Sequence, residues 1–273
     1  MKAMILAAGL GTRLRPLTND RPKALVELNG RTLLEITLTR LRKFGVTEAI
    51  INVHHFADRV VAYLKSKNNF NMRLEISRED DQLLDTGGGL KKASWFFEEQ
   101  GSNPDEPFLL HNVDVISTID LNAMLQSHKQ NQALATLAVQ SRKSSRQLLF
   151  NNKLQLVVRA SSTVTPDCAP QNAPNAEPAQ ANSPLATSHS PLLQSQQSSL
   201  QPLAFSGIHI ISPRLLPRIT ETGAFSIIDT YLRLSSQAQK IQAFRADNFY
   251  WRDLGRPEDL AQASLDLQQN ISL

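Results

Sequence analysis

Lys2-Ala3-Met4-Ile5-Leu6-Ala7-Ala8-Gly9-Leu10-Gly11-Thr12-Arg13 stands at the head of the chain, and its two halves call for different backbones. Residues 2–7 read as a short buried strand. Gly9 and Gly11 then permit a tight loop whose backbone can approach an anion, with successive N–H groups placed to cradle phosphate oxygens. Arg13 and Arg15 add forked, charged donors that match phosphate geometry, and Lys23 follows Pro22 as a further point charge.

Reading outward from that strand, apolar spacing predicts an amphipathic helix from Thr32 to Phe44, with Leu33, Leu34, Leu38 and Leu41 on one face. A strand at 49–53, a helix at 56–66 and a strand at 72–77 come next. A helix at 87–99, a strand at 108–110 ending in 111–114, a helix at 121–130 and a strand at 133–139 continue the alternation. Strands alternating with crossover helices predict an α/β fold, a Rossmann-like, mostly parallel sheet sandwiched by helices. Such sheets bind ligands at the carboxyl ends of their strands, where loops 8–23 and 111–114 both fall.

Beyond residue 140 the pattern changes. Residues 148–150 and 154–158 read as two strands around a tight turn. The stretch 160–202 is rich in Ala, Pro, Ser, Gln and Asn, with only Asp167 and Glu177 charged, and is expected to be a disordered or mobile insert. Regular structure is expected again from 203, with a helix at 226–236, strands at 240–244 and 249–253 and a last helix at 257–269. This divides the chain into a core, 1–140, and a smaller lobe and closing segment of the same domain, 141–159 and 203–273.

The 273 residues carry a net charge of +4 with no basic run interleaved with aromatics, which argues against a nucleic-acid partner. A lone cysteine, Cys168, leaves no intrachain disulfide and no Cys-based zinc site. The first apolar stretch is too short for a signal peptide, and no run of about 18 apolar residues follows, so a cytoplasmic protein off the membrane is expected. His54 and His55 do not make a metal pair, because adjacent histidines rarely face one ion.

The glycine loop fits no dinucleotide fingerprint, since Leu14 stands where a third glycine belongs and His54-His55 replaces the acid after the second strand. Walker A fails for want of Gly-Lys-Ser/Thr, and a lone Gly-x-Gly is also compatible with an ordinary strand-to-helix turn. Asp85-Thr86-Gly87-Gly88-Gly89 precedes a helix, where three glycines could form a loose cap or let a flat ligand approach the backbone. Asp114 and Asp253 each sit at a strand's carboxyl end, and Pro257 suits a first helical position. Ser226 and Asp229 have capping-box spacing.

Leu6–Leu14 together with Pro16-Leu17-Thr18 and Pro22-Lys23-Ala24-Leu25 resembles the signature of sugar-1-phosphate nucleotidyltransferases. Asp85–Gly89 is similar to the segment of family members acting on N-acetylmuramate 1-phosphate. Asn112-Val113-Asp114, Phe205-Ser206-Gly207-Ile208 and Trp251-Arg252-Asp253-Leu254-Gly255 each resemble further family motifs, with Val113 standing where glycine is common. The resemblance implies a GT-A-like fold with a sugar-side lobe and an enzyme joining a nucleoside triphosphate to a sugar 1-phosphate. By the same resemblance Arg13 and Lys23 are catalytic. Ala8, Gly9, Gly11, Thr12, Gly87, Gly88 and Asn112 contact nucleotide, Gly207 borders the sugar, and Asp114 and Asp253 hold Mg²⁺. The implied substrates are UTP and an N-acetylmuramate-like amino-sugar 1-phosphate, in cell-wall recycling. A mannose- or heptose-1-phosphate guanylyltransferase is the alternative, and a noncatalytic pyrophosphorylase-like regulatory subunit is the alternative of another class. A monomer or small homo-oligomer is expected.

Overall fold

The computed structural model describes residues 1–99, 103, 105–160 and 200–269. Lys2–Leu6 forms the strand β1, around which the rest is laid. Glu27–Leu28 (β2) and Arg31–Thr32 (β3) make a small hairpin that leads into Leu33–Lys43 (α1). Thr32 Oγ1 accepts from the Glu35 amide at 3.1 Å, a cap of the kind that contributes about 1 kcal/mol. Glu48–Val53 (β4), Ala57–Ser66 (α2), Arg73–Arg78 (β5), Asp85–Lys92 (α3) and Phe108–Asn112 (β6) follow. Val115–Ser117 (β7), Leu121–Asn131 (α4) and Ala135–Gln140 (β8) lead to a hairpin of Gln147–Phe150 (β9) and Leu156–Arg159 (β10). The remainder comprises Gln201–Ile211 (β11), Ile227–Ser236 (α5), Ile241–Arg245 (β12), Trp251–Asp253 (β13) and Pro257–Gln268 (α6).

The main sheet runs β10-β9-β11-β6-β1-β4-β5, with β8 paired to β11 and β12 to β8. Strands β6, β1, β4 and β5 are parallel, as helical crossovers require, and so are β8 and β12. The long β11 runs antiparallel to β6, β8 and β9 and ties the two halves together. Side chains alternate across the sheet. Ala3 and Ile5 of β1 pack with Leu34, Leu38 and Leu41 of α1 and Val60 of α2, whereas Met4 faces Leu90 of α3 and Tyr231 of α5. A third, smaller core joins Leu14, Ile116, Leu254, Leu260 and Ala263, so α6 is packed beneath the glycine loop. This is the predicted α/β sandwich.

The differences lie at boundaries and in non-local pairings. Helix α3 begins at Asp85 rather than 87 and ends at Lys92, with a separate 3-10 turn at Ser94–Phe96, so the glycines lie inside the helix. The β2–β3 hairpin and the β7–β13 ladder were not anticipated, because two- and three-residue strands carry no periodicity to read. Strand β11 starts at Gln201, two residues before 203, and Pro202 pairs with Leu149. A proline is tolerated where the ladder asks no N–H of it, which composition alone does not reveal. The expected insert otherwise falls on 161–199, outside the described residues. Ser226 caps α5 through the Ile228 amide, while Asp229 pairs with Arg159 instead of completing a capping box. No helix among the described residues is long and apolar enough to cross a membrane.

Three histidines make the fold acid-sensitive. Burial holds the pKa of His111 and His209 down to about 3 and that of His128 to about 4. His209 Nδ1 lies 2.9 Å from the Tyr231 hydroxyl, and His128 Nδ1 lies 2.9 Å from Thr136 Oγ1. The unfolded chain takes up protons near 6.5 that the folded chain refuses, so this stability is complete above 6.5 and is lost as pH falls towards the folded values. Each histidine adds up to about 1.4 kcal/mol per pH unit. The melting temperature is expected to fall steadily on acidification below 6.5, and less steeply in His209→Gln. Parallel slopes for the two proteins would remove His209 from this account.

Candidate active site

The parallel strands bring their carboxyl ends to one level. Leu6 is in register with Asn52 of β4 and with Asn112 of β6. The loop after β1 therefore opens beside both asparagines. Ala8 is buried, Gly9 and Thr12 are exposed, and nothing lies within 4 Å of the point where a Gly9 side chain would begin. The amides of Gly9, Leu10 and Gly11 make no hydrogen bond among the described residues. Gly11 has φ +64°, and a side chain there would meet Thr18 Cγ2 at 3.0 Å and Lys23 Cβ at 3.3 Å. The Thr18 hydroxyl donates to the Gly11 carbonyl at 2.9 Å. The loop is thus fixed from below by Leu14 and Thr18 and bare above, which suits anion capture.

Four charged residues meet at the loop's rim. Lys23, on the 3-10 turn Lys23–Leu25, is buried and donates from Nζ to Asp114 Oδ2. Asp114 leaves β6 just before β7, which pairs with β13 so that Asp253 stands opposite Val115. The Leu254 amide donates to the Asp114 carbonyl at 2.7 Å. A side chain on Gly255 would begin 2.7 Å from Asp253 Oδ1 and 2.9 Å from Arg13 Nη2, so the exposed Arg13 and Asp253 flank Gly255 without forming an ion pair within 4.0 Å. Asp253 Oδ1 is buried and accepts no hydrogen bond among the described residues. Burial raises the Asp253 pKa, the Asp114 charge raises it further, and Lys23, the Gly255 amide and Arg13 oppose them. Two neighbouring carboxylates, one with an unsatisfied buried oxygen, are a donor set suited to a hard divalent cation. Among the described residues no third His, Cys, Asp or Glu joins them. The remaining ligands of such an ion would come from bound phosphate and water.

The triple glycine packs closely against its own chain. The Gly87 amide donates to the Phe225 carbonyl at 2.9 Å, and the Ile227 amide donates to Thr86 Oγ1 at 3.0 Å. The spaces left by the absent side chains are filled by the Phe225 ring at Gly87, the Gly223 carbonyl at Gly88, and Asn52 with Glu79 at Gly89. On the side where side chains would project, Gly87 and Gly88 therefore lie against residues 223–227. Gly207 similarly has φ +74° at an irregularity in β11, and a side chain there would strike Asn112 Nδ2 and Val115 Cγ2, each at 2.9 Å. His54 Nδ1 faces the Glu79 carbonyl, and the His55 ring lies tilted beside that of Phe56 with centroids 3.9 Å apart.

Asn52 and Glu79 were missed from the sequence. Asn52 Oδ1 accepts from the Ala7 amide at 2.7 Å, Asn52 Nδ2 donates to Glu79 Oε1 at 2.7 Å, and Glu79 Oε2 accepts from the Leu84 amide at 2.9 Å. This buried bridge ties the start of the glycine loop to the start of α3. An Asn and a Glu at the ends of successive parallel strands were the only available signal.

Helix propensity alone predicts that Gly88→Ala stabilises by about 1 kcal/mol. The added methyl would begin 2.5 Å from the Gly223 carbonyl oxygen, which is backbone, and overpacking of this kind costs about 1–3 kcal/mol. Gly88→Ala is therefore expected to lower the melting temperature by a few degrees, while Gly9→Ala, facing open space, leaves it unchanged. A more stable Gly88→Ala protein would show that residues 223–225 yield easily.

Residues 2–148 match the family model described as nucleotidyl transferase. Over 116 residues the chain is 48% identical to N-acetylmuramate alpha-1-phosphate uridylyltransferase of Caulobacter vibrioides, covering 42% of this chain and 46% of the relative. Over 140 residues it is 37% identical to mannose-1-phosphate guanyltransferase of Aspergillus fumigatus, covering 51% of this chain and 37% of the relative. The match thus spans half or less of each of these relatives. Among solved structures, a putative glucose-1-phosphate thymidylyltransferase of Bacillus anthracis superposes with a TM-score of 0.72 at 17% identity, covering 100% of this chain and 97% of the other. HddC of Yersinia pseudotuberculosis complexed with GMP-PN gives 0.68 at 20% identity, with 97% and 99% covered. These two likenesses establish the fold.

Proposed function

Because this chain belongs to the nucleotidyl transferase family, we propose that it converts a nucleoside triphosphate and a sugar 1-phosphate to a nucleotide sugar and pyrophosphate. The observation that carries the reading is the meeting of Arg13, Lys23, Asp114 and Asp253 beside the open Gly9–Thr12 loop. The loop amides hold the triphosphate, and Arg13 and Lys23 balance its charge. An oxygen of the sugar phosphate attacks the α-phosphorus as the bond from that phosphorus to the bridging oxygen of the leaving pyrophosphate breaks. The attacking oxygen is already anionic, so no general base is needed. The protein's work is positioning and charge balance. Asp114 and Asp253 would hold Mg²⁺, which when bound supplies Lewis-acid stabilisation of the phosphate oxygens.

The proposed substrates are UTP and an N-acetylmuramate-like sugar 1-phosphate. The Asp85–Gly89 segment and the 48% identity to the Caulobacter relative favour this pair. The Aspergillus relative favours the second reading, a guanylyltransferase acting on mannose 1-phosphate. Pyrophosphate release across a matrix of nucleoside triphosphates and sugar 1-phosphates decides between them. UTP with N-acetylmuramate 1-phosphate should give the highest kcat/KM. No release with any pair would leave a nucleotide-binding regulatory subunit as the better account.

A further inference from the structure

Arg142 lies in the loop between β8 and β9, half-buried, and has no role in the chemistry described so far. Its guanidinium carbon sits 3.8 Å from the centre of the Trp251 ring, and Nη2 donates to the Phe205 carbonyl at 2.7 Å. Trp251 Nε1 in turn donates to the Ser206 carbonyl at 2.7 Å. The cation is therefore fastened to β11 and β13 just where both strands enter the site, two residues before Gly207 and two before Asp253. Two unsatisfied atoms accompany it. Among the described residues Arg142 Nε is buried without a partner, and so is Asp253 Oδ1.

Burial works against the Arg142 charge and Asp253 favours it, so the two groups feel each other. Among the described residues, however, no carboxylate lies within 4.0 Å of Arg142. A planar cation held by a ring and a carbonyl keeps the rest of its donor fork for another ligand. Charge alternation says which ligand fits. A cationic fork beside the candidate metal pair Asp114 and Asp253 fits an anionic group such as a phosphate. Arg13 and Lys23 reach the same carboxylates from the glycine-loop side, where the triphosphate belongs. The acceptor's phosphate has to approach that triphosphate against like charge, and it needs a cation of its own.

We propose that Arg142 binds the phosphate of the acceptor sugar 1-phosphate, on a platform formed by Trp251 and the Phe205–Ser206 backbone. The assignment rests on the proposed reaction and adds its acceptor-side contact. Arg142→Met keeps an apolar stem against the indole and removes the donors; Arg142→Lys keeps the charge and loses the fork. Steady-state rates are measured with each substrate varied at saturating levels of the other, alongside thermal melts. Loss of a charge-assisted hydrogen bond is expected to raise KM for the sugar 1-phosphate about tenfold to a hundredfold in Arg142→Met. A smaller rise is expected in Arg142→Lys, with KM for the nucleotide within about twofold in both. Inorganic phosphate should compete with the sugar 1-phosphate in the unaltered protein and compete more weakly in Arg142→Met. An unchanged sugar-phosphate KM would overturn the assignment, and so would an equal rise for both substrates, which marks a prop for β13. Should Arg142→Met fail to fold, the Arg142→Lys kinetics decide by the same criteria. No turnover by the unaltered protein with any substrate pair would instead overturn the reaction itself.

Discussion

Asp114→Asn and Asp253→Asn are each expected to lower turnover by about 10²-fold or more, yet to move stability in opposite directions. Each substitution removes half of the two-carboxylate donor set, and no third acidic or histidine ligand among the described residues can replace it. Their surroundings differ. Asp114 has a cation, Lys23, on Oδ2. Asp253 has a buried oxygen with no partner. Burial and the neighbouring Asp114 raise the Asp253 pKa, so the folded chain holds that proton more tightly than the unfolded chain does. The stability tied to this proton is therefore present at low pH and lost as pH rises through the raised value. At neutral pH an ionised Asp253 opposes folding, and its amide isostere removes that burden. Without divalent metal, Asp253→Asn should melt at or above the unaltered protein. Asp114→Asn should melt below it, because Lys23 is left buried without its counter-ion. Near-normal turnover in either variant would remove that residue from the metal site. Equal losses of melting temperature would mean that Asp253 carries no electrostatic burden.

The order of strands and helices was legible because each long element has its own periodicity and ends in its own punctuation. Residues 2–7 declare a strand by apolar content, and α1 declares itself by the spacing of Leu34, Leu38 and Leu41 over a Thr32 cap. The candidate acids were legible as strand-end carboxylates, Asp114 just after β6 and Asp253 at the end of β13; what brings them together is the β7–β13 ladder, which carries no periodicity to read. What stayed hidden depends on partners far along the chain. Asn52 and Glu79 act only because parallel pairing sets Asn52 beside Leu6 and brings Glu79 up behind it. Arg142 reads as one of several polar residues in a loop until Trp251, more than a hundred residues later, is packed under it. The triple glycine was visible, but its reason was not. Three glycines in sequence state that something approaches closely and leave open whether it is a ligand or, as at Gly87, the ring of Phe225.

Replacement of Lys23 tests how far loop, metal site and fold are coupled. Lys23→Met is expected to lower turnover by about 10²- to 10³-fold, the usual loss when one preorganised donor is removed from a charged transition state. A purely chemical role would leave the melting temperature unchanged, and at Lys23 the structure predicts otherwise. The side chain is 11% exposed, its ammonium is the ion-pair partner of Asp114, and its Cβ lies against Gly11 in the glycine loop. Methionine fills the same space but leaves Asp114 and Asp253 adjacent without the ion pair to Asp114, with Arg13 and Arg142 the more distant cations that remain. Their mutual repulsion then raises the energy of the doubly ionised site. The melting temperature of Lys23→Met should accordingly fall at neutral pH. The deficit relative to the unaltered protein at the same pH should shrink on mild acidification, as one carboxylate takes up a proton, and shrink also on adding Mg²⁺, which supplies the missing positive charge. Arg13→Ala is the control. Arg13 is exposed and fills no core, so turnover should fall while the melting temperature follows that of the unaltered protein at each pH and Mg²⁺ concentration. A Lys23→Met protein whose stability ignores both pH and Mg²⁺ would show that the lysine does not balance the carboxylate pair, and would confine its role to the bound phosphates.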